Sequence, residues 1–288
     1  MPHVKRMLPH LLPILCVCLH ARRAHAGIKR IKFHSERIKM NNQTDKTPAH
    51  WLSYVSEQTT DKNGAFTCRD TLGMPIVLAW HAFDAASSQF SHAIQDASNI
   101  LVETYTQQEV QFTHKHPEAV PHEYFLKSLE SLFNNGIENV DWNLVSEQTQ
   151  AIIQRFFMET DFSKFLGKQD ITIVVTARDQ NSGELLGLIQ LLVTPDFAYG
   201  NVRVGYYGVT STAQARGLEK LLMSAIFKLL PLTTRIFLHT RSTNEQILNT
   251  YYSWGFVQFT GTLEYWPDLE YLADRSYGLQ ETAKTIMS

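Results

Sequence analysis

The stretch Val209–Leu222, "VTSTAQARGLEKLL", runs from a strand-like segment through small polar residues and one glycine into an amphipathic helix. A strand feeding a helix start offers backbone N–H groups without acceptors at the positive end of the helix dipole, which is the chemistry of an anion site. Gly217 would let a ligand approach the backbone closely, and Gln214 and Arg216 add side-chain donors. Glu219 acts in the opposite sense, because a carboxylate there suits the empty helix and repels a bound phosphate. The chain carries neither G-x-x-x-x-G-K-[ST] nor G-x-G-x-x-G, so a P-loop and a dinucleotide fingerprint are both unsupported.

A second stretch, "NEQILNTYYSWGF", places Tyr251 seven residues after Asn244, with Gly255 and Phe256 eleven and twelve residues after it. The two stretches, in this order, resemble the GNAT superfamily of N-acetyltransferases. That family's first signature is a strand ending in Val followed by [Q/R]-x-x-G-x-[G/A]; Gln214, Gly217 and Glu219 hold those three places here. Asn244, Tyr251, Gly255 and Phe256 fit the second signature without a gap. The resemblance covers residues 171–262 and extends loosely to a strand and helix at 74–106.

The resemblance implies an enzyme that moves an acetyl group from acetyl-CoA to a primary amine by direct attack. It implies two strands splayed apart so that the pantetheine arm lies between them, held by the backbone of Val209. The pyrophosphate would rest on the turn formed by Gln214, Ala215, Arg216, Gly217 and Leu218. Asn244 would contact the cofactor from the far side, and Tyr251 would protonate the leaving thiolate, a role open to a desolvated phenol. The general base stays open among His239, Tyr206, Tyr207 and Glu184. The alternative is a catalytically silent GNAT-like module that binds acyl-CoA or a partner, exported if the N-terminus is a signal. Asn244 could equally cap the helix that begins near Glu245.

Other chemistries have little footing. The three cysteines exclude a disulfide framework, and Cys68 is the one outside the N-terminal apolar run. His114, His116 and His122 are close in sequence, yet Pro117 and Pro121 break the local geometry and no further ligands appear, so no metal is expected. A net charge of −2 gives no electrostatic case for nucleic acid or an anionic membrane as the main partner. The expected partner is a small-molecule or peptide amine.

The elements that must position these residues are legible as patterns. Hydrophobic residues make up 44% of the chain, enough for a packed core. From residue 170 the strands "DITIVVTARD", "ELLGLIQLLV" and "NVRVGYYGV" appear, the first two joined by the turn "QNSG". A helix over Gly217–Leu230 shows Leu218, Leu221, Leu222, Ala225, Ile226 and Leu229 on one stripe. A strand "TTRIFLHT", a short helix and a strand "FVQFTGTLEYW" follow. Upstream, "MPIVLAWHAF" reads as a strand and 87–107 as a helix.

The fold class expected is therefore mixed α/β, a GNAT-like central mixed β-sheet flanked by helices. One domain is expected over 74–288, with a helical insertion at 107–168 after a polar, loose lead-in at 40–73 with a short helix near Trp51. Residues 1–39 read either as a signal peptide, with "AHA" before Gly27, or as an upstream extension ending at Met40. The apolar run Met7–Leu19 is too short for a stable membrane span. Because acetyl-CoA is a cytosolic metabolite, the cytoplasm is the expected compartment, with export as the alternative.

Overall fold

The computed structural model describes residues 63–258 except 85–86, 88, 124–125, 168–169, 194–199 and 232, and in addition 268–272 and 279. The N-terminal segment, the short helix expected near Trp51 and most of the strand expected after Phe256 lie outside the described residues.

Eight strands form one sheet in the order β1-β2-β3-β4-β5-β6-β8-β7. They are β1 Asn63–Arg69, β2 Pro75–Asp84, β3 Ile171–Asp179, β4 Leu185–Val193, β5 Asn201–Val209, β6 Arg235–His239, β7 Val257–Gln258 and β8 Asp268–Leu272. Every pairing is antiparallel except β5 with β6, the pair joined by a helical crossover. The helices are α1 Gln89–Asp96, α2 Ser98–Lys115, α3 Trp142–Glu159, α4 Ser211–Gln214, α5 Leu218–Leu229 and α6 Glu245–Ser253.

The sheet is covered on both faces, which is why β3 and β4 are nearly continuous apolar runs rather than alternating ones. One core joins β2–β6 to α5 and α6 through Ile173, Val175, Leu191, Leu222, Ile226 and Tyr251. The other joins the sheet to α1–α3 through Phe90, Leu101, Phe156, Phe157 and Leu188. Gly183 turns the β3–β4 hairpin at φ 73°, as "QNSG" predicts.

Four expectations need correction. Residues 63–69, read as part of a loose lead-in, form edge strand β1; its alternating half-exposed side chains carry too little apolar character to signal a strand. The single helix expected over 87–107 is two, with Ala97 in the turn between them, and α2 runs on to Lys115. Within the helical insertion expected at 107–168, Lys127–Phe133 is a 3-10 segment rather than an α-helix. On α5 the buried set is wider than one stripe, because Met223, Ser224 and Phe227 are also enclosed.

Candidate active site

β5 and β6 pair only through Asn201, Val202 and Arg203 with Arg235, Ile236 and Phe237. Beyond those three residues the strands share no ladder, and the remaining six residues of β5 leave one edge open toward β6. Thr210 N donates to Leu186 O at 2.9 Å, so that residue addresses β4. Backbone groups alternate between the two edges along a strand, so Val209's N–H and C=O face the gap.

A β-bulge lies in the middle of this strand: the β4–β5 register shifts between Ile189 and Leu191, so Gly205 and Tyr206 together oppose Gln190. Gln190 is buried, its Oε1 accepts from Tyr206 N at 3.1 Å and its Nε2 donates to Thr172 Oγ1 at 3.0 Å. A Cβ on Gly205 would collide with that carboxamide, so the glycine and the buried glutamine require each other. Gly208 is set by α2, whose Thr104 Oγ1 would stand 2.8 Å from a Cβ there.

The turn after β5 holds the short helix α4 before α5 begins. Amides of Ala213 and Gln214 donate to Thr210 O, and that of Arg216 donates to Ala213 O. The first bond of α5 runs from Leu221 N to Gly217 O, leaving Leu218, Glu219 and Lys220 amides without helical acceptors. Gly217 sits at φ 70° as the N-cap of α5, a conformation that favours glycine. The open donors thus begin one turn later than a reading centred on Gln214–Gly217 places them.

Glu219 turns inward. Burial raises its carboxyl pKa, offset by a hydrogen bond from its own backbone N–H, so the carboxylate lies against the amide end of its own helix. Its field reaches the phenols of Tyr207 and Tyr251. Burial raises both phenol pKa values, and each is raised further by neighbouring groups, Tyr251 by Tyr105 and Glu219. Tyr251 therefore stays protonated across the working pH range. Its ring packs on Trp254 and Phe256 at 5.7 and 5.4 Å. The Tyr207 hydroxyl is buried with no hydrogen-bond partner among the described residues.

The remaining sequence candidates fall in different places. Asn244 caps α6, its Oδ1 accepting from Ile247 N at 3.4 Å. Arg216 reaches two carboxylates, Nε to Asp70 Oδ2 at 2.6 Å and NH2 to Asp179 Oδ2 at 3.4 Å. Gln214 and Ala215 are exposed on the turn, and Leu218 is fully buried beneath it. Among the base candidates, Glu184 is exposed in the β3–β4 hairpin and Tyr206 is locked among Tyr105, Phe157 and Phe162. His239, on β6, has its pKa lowered to about 4 by burial and by Arg203. Only Tyr207 shares a neighbourhood with Tyr251 and Glu219.

One buried network went unforeseen. Arg241, 1% exposed, meets Glu109 in a two-pronged contact at 3.1 and 2.7 Å and Glu123 at 3.1 Å, with its guanidinium over Phe112. The network ties α2 to the loop that carries Asn244. The apolar-to-charged step from "IFLH" to Arg241 was its only sequence signal. Elsewhere, burial pushes the Cys68 thiol up to about 11, so it is not a thiolate nucleophile at neutral pH. His114 stacks on Trp142, His116 meets Glu118, and no group of three metal-ligating side chains occurs among the described residues. Also among these residues, no helix is long and apolar enough to cross a membrane.

A parallel strand pair opens after three residues, with a bulged strand along the opening and a helix start after its end. Residues 137–256 match the model of the acetyltransferase (GNAT) family. That span is a GNAT acetyltransferase domain; it includes α3, the open strand pair, the turn at Gly217 and Tyr251. Comparison with curated proteins found no match. Similar solved structures include nourseothricin acetyltransferase, at 14% identity and TM-score 0.31, with 35% of this chain and 65% of that one covered. A spermidine N-acetyltransferase from Vibrio cholerae in complex with CoA and spermine aligns at 13% identity and TM-score 0.35, covering 69% and 96%. Ard1 from Thermoplasma volcanium aligns at 17% identity and TM-score 0.29, covering 35% and 69%.

Proposed function

We propose that this chain is an acetyl-CoA-dependent N-acetyltransferase that acts on a primary amine. The observation that carries the reading is the open edge of β5 beyond Arg203, which leads into the turn before α5 and whose Tyr207 lies within electrostatic reach of Tyr251. An extended amide-bearing arm fits there as a strand would, hydrogen-bonded to the backbone of Val209. A diphosphate fits at the amides of Leu218–Lys220, with Gln214, Ala215 and Gly217 forming the turn's outer wall. The buried, unpartnered Tyr207 hydroxyl supports a ligand in the gap, since such a group costs roughly 1–3 kcal/mol while unsatisfied.

Acetyl-CoA supplies an activated acyl carbon and a thiolate leaving group. Tyr251 holds its proton on Oη until sulfur charge develops and then donates it, a task suited to a phenol whose ionisation burial suppresses. Asn244 fixes the start of α6 and so the depth at which Tyr251 projects. The two covered faces of the sheet keep water from the thioester. A deprotonated amine attacks directly, so that the C–N bond forms as the C–S bond breaks; sulfur takes the Tyr251 proton, the ammonium proton passes to water, and solvent reprotonates Tyr251. The acceptor is a small-molecule or peptide amine, and the working compartment is the cytosol, where acetyl-CoA is made. An acceptor screen that reads thiol release tests the activity: acetyl-CoA-dependent, amine-dependent thiol supports it. Thiol release with no amine dependence contradicts amine transfer.

A second reading rests on Glu219. Its carboxylate lies at the amide end that a phosphate would use, which favours a module with weakened CoA binding and no turnover.

A further inference from the structure

We infer that Asp70, with Asp179, is a positioning residue for the phosphate turn, and that the Arg216 side chain serves this latch rather than the phosphate. The inference rests on the cofactor reading above. Three contacts join the β1–β2 hairpin tip, Asp70–Met74, to the turn, and the β3–β4 hairpin adds a fourth. Arg216 Nε donates to Asp70 Oδ2 at 2.6 Å. Thr71 N donates to Arg216 O at 3.1 Å. The Thr71 methyl closes over Gly217, 2.6 Å from where a Cβ would stand. From the β3–β4 hairpin, Asp179 Oδ2 takes a second guanidinium nitrogen at 3.4 Å.

The tip is itself fixed. Asp70 Oδ1 accepts from Leu72 N at 2.9 Å and Met74 N at 2.8 Å, while Asp70 N donates to Met74 O. The Asp70 carboxylate side chain is fully buried. Burial alone would raise its pKa, but hydrogen bonds from Arg216 and the Met74 and Leu72 amides outweigh that and hold the carboxyl below its ordinary value. A charge-assisted bond of this length between a buried carboxylate and a half-buried guanidinium is among the stronger polar contacts. A phosphate seeking Arg216 would have to break it and leave Asp70 buried and unpaired. The guanidinium therefore works as a strut: it holds the carbonyl of residue 216 against β1 and sets the left-handed Gly217 that starts α5. Edge strand β1 lies outside the family-matched span.

The experiment is calorimetric titration of CoA into wild type, D70N, R216M and D70N/R216M, with amide exchange of residues 213–220 in the same ligand-free proteins. D70N keeps an acceptor for the Leu72 and Met74 amides while removing the charge that holds Arg216. The latch predicts that each single variant weakens CoA binding about tenfold. It also predicts that the double variant is no weaker than either single one, as expected for partners in one interaction. With an active acceptor the loss appears as a raised KM for acetyl-CoA at unchanged kcat. Turn amides exchange faster in every variant while amides of β3 and β4 do not, which separates a local effect from general unfolding. D70N binding CoA as tightly as wild type, or more tightly, overturns the inference, because a released Arg216 would then be a phosphate ligand. If wild type binds no CoA, the cofactor reading fails. The latch is then decided by exchange alone, and unchanged turn protection in D70N overturns it.

Discussion

Tyr251 combines two properties that a leaving-group acid needs: it is buried against Trp254 and Phe256, and its proton is held firmly. Replacing it with Phe keeps the ring packing and removes the donor. Tyr251→Phe is expected to lower kcat by roughly 10²-fold or more, the usual scale of general-acid assistance, while CoA affinity measured by calorimetry stays nearly unchanged. Unchanged turnover would remove Tyr251 from the mechanism. His239 gives a second residue-scale test, this time of stability. Its folded pKa of about 4 lies below the ordinary histidine value, so the unfolded chain takes up a proton that the folded chain refuses. Stability from this group is therefore lost as pH falls from about 6.5 toward the folded value, by on the order of 2–3 kcal/mol. Denaturant unfolding of His239→Gln should lack this contribution, so the difference from wild type should grow at neutral pH and shrink in acid. A pH-independent difference would contradict the burial argument. Both residues were visible in the sequence as types, but burial decides which proton each one holds, and burial depends on strands far apart in the chain.

In the proposed enzyme, the element that would govern cofactor affinity is the start of α5. A carboxylate in a first helical turn stabilises the empty helix by roughly 0.3–1 kcal/mol, and Glu219 lies against its own amide there. The same position disfavours a diphosphate. Glu219→Gly should tighten CoA binding by about tenfold at neutral pH, since removing one close like charge is worth on the order of 1 kcal/mol or more in a half-buried setting. The advantage should fade as pH is lowered through the raised carboxyl pKa of wild type, where Glu219 becomes neutral. An equal or weaker affinity would show that the carboxylate does not oppose the ligand. Much of this element was legible: strand, turn, glycine and helix all follow from apolar period and the one Gly. The short helix α4 was not, because Ser211–Gln214 has neither a stripe nor a cap to mark it. Nor was the bulge at Gly205, whose partner Gln190 stands in another strand.

At the scale of the whole molecule, α2 is tied to the loop after β6 by a buried charge cluster rather than by apolar packing alone. Arg241 neutralises Glu109, and Arg241→Met would leave that carboxylate enclosed without its partner. Breaking a buried pair in this way typically costs about 3–5 kcal/mol, so denaturant unfolding should show a loss of that size. Replacing Glu109 and Glu123 with Gln in the Met background should recover part of it. No loss in the single variant would show that the cluster is not enclosed in solution. The mixed sheet flanked by helices was legible in the apolar runs of its strands and helices. Edge strand β1 and inner strand β8 were not, since β1 lacks an apolar face and β8 lies just past the strand read as "FVQFTGTLEYW". The distribution of helices over the two faces was equally hidden, because it depends on which partners fill each side.

The proposed reaction requires a coenzyme lying between β5 and β6. Calorimetric titration of CoA into the full-length protein measures this most directly. One CoA per chain, bound with a dissociation constant below about 100 μM (roughly −5.5 kcal/mol or stronger), is the predicted result. No heat and no competition with acetyl-CoA at millimolar concentration would contradict it.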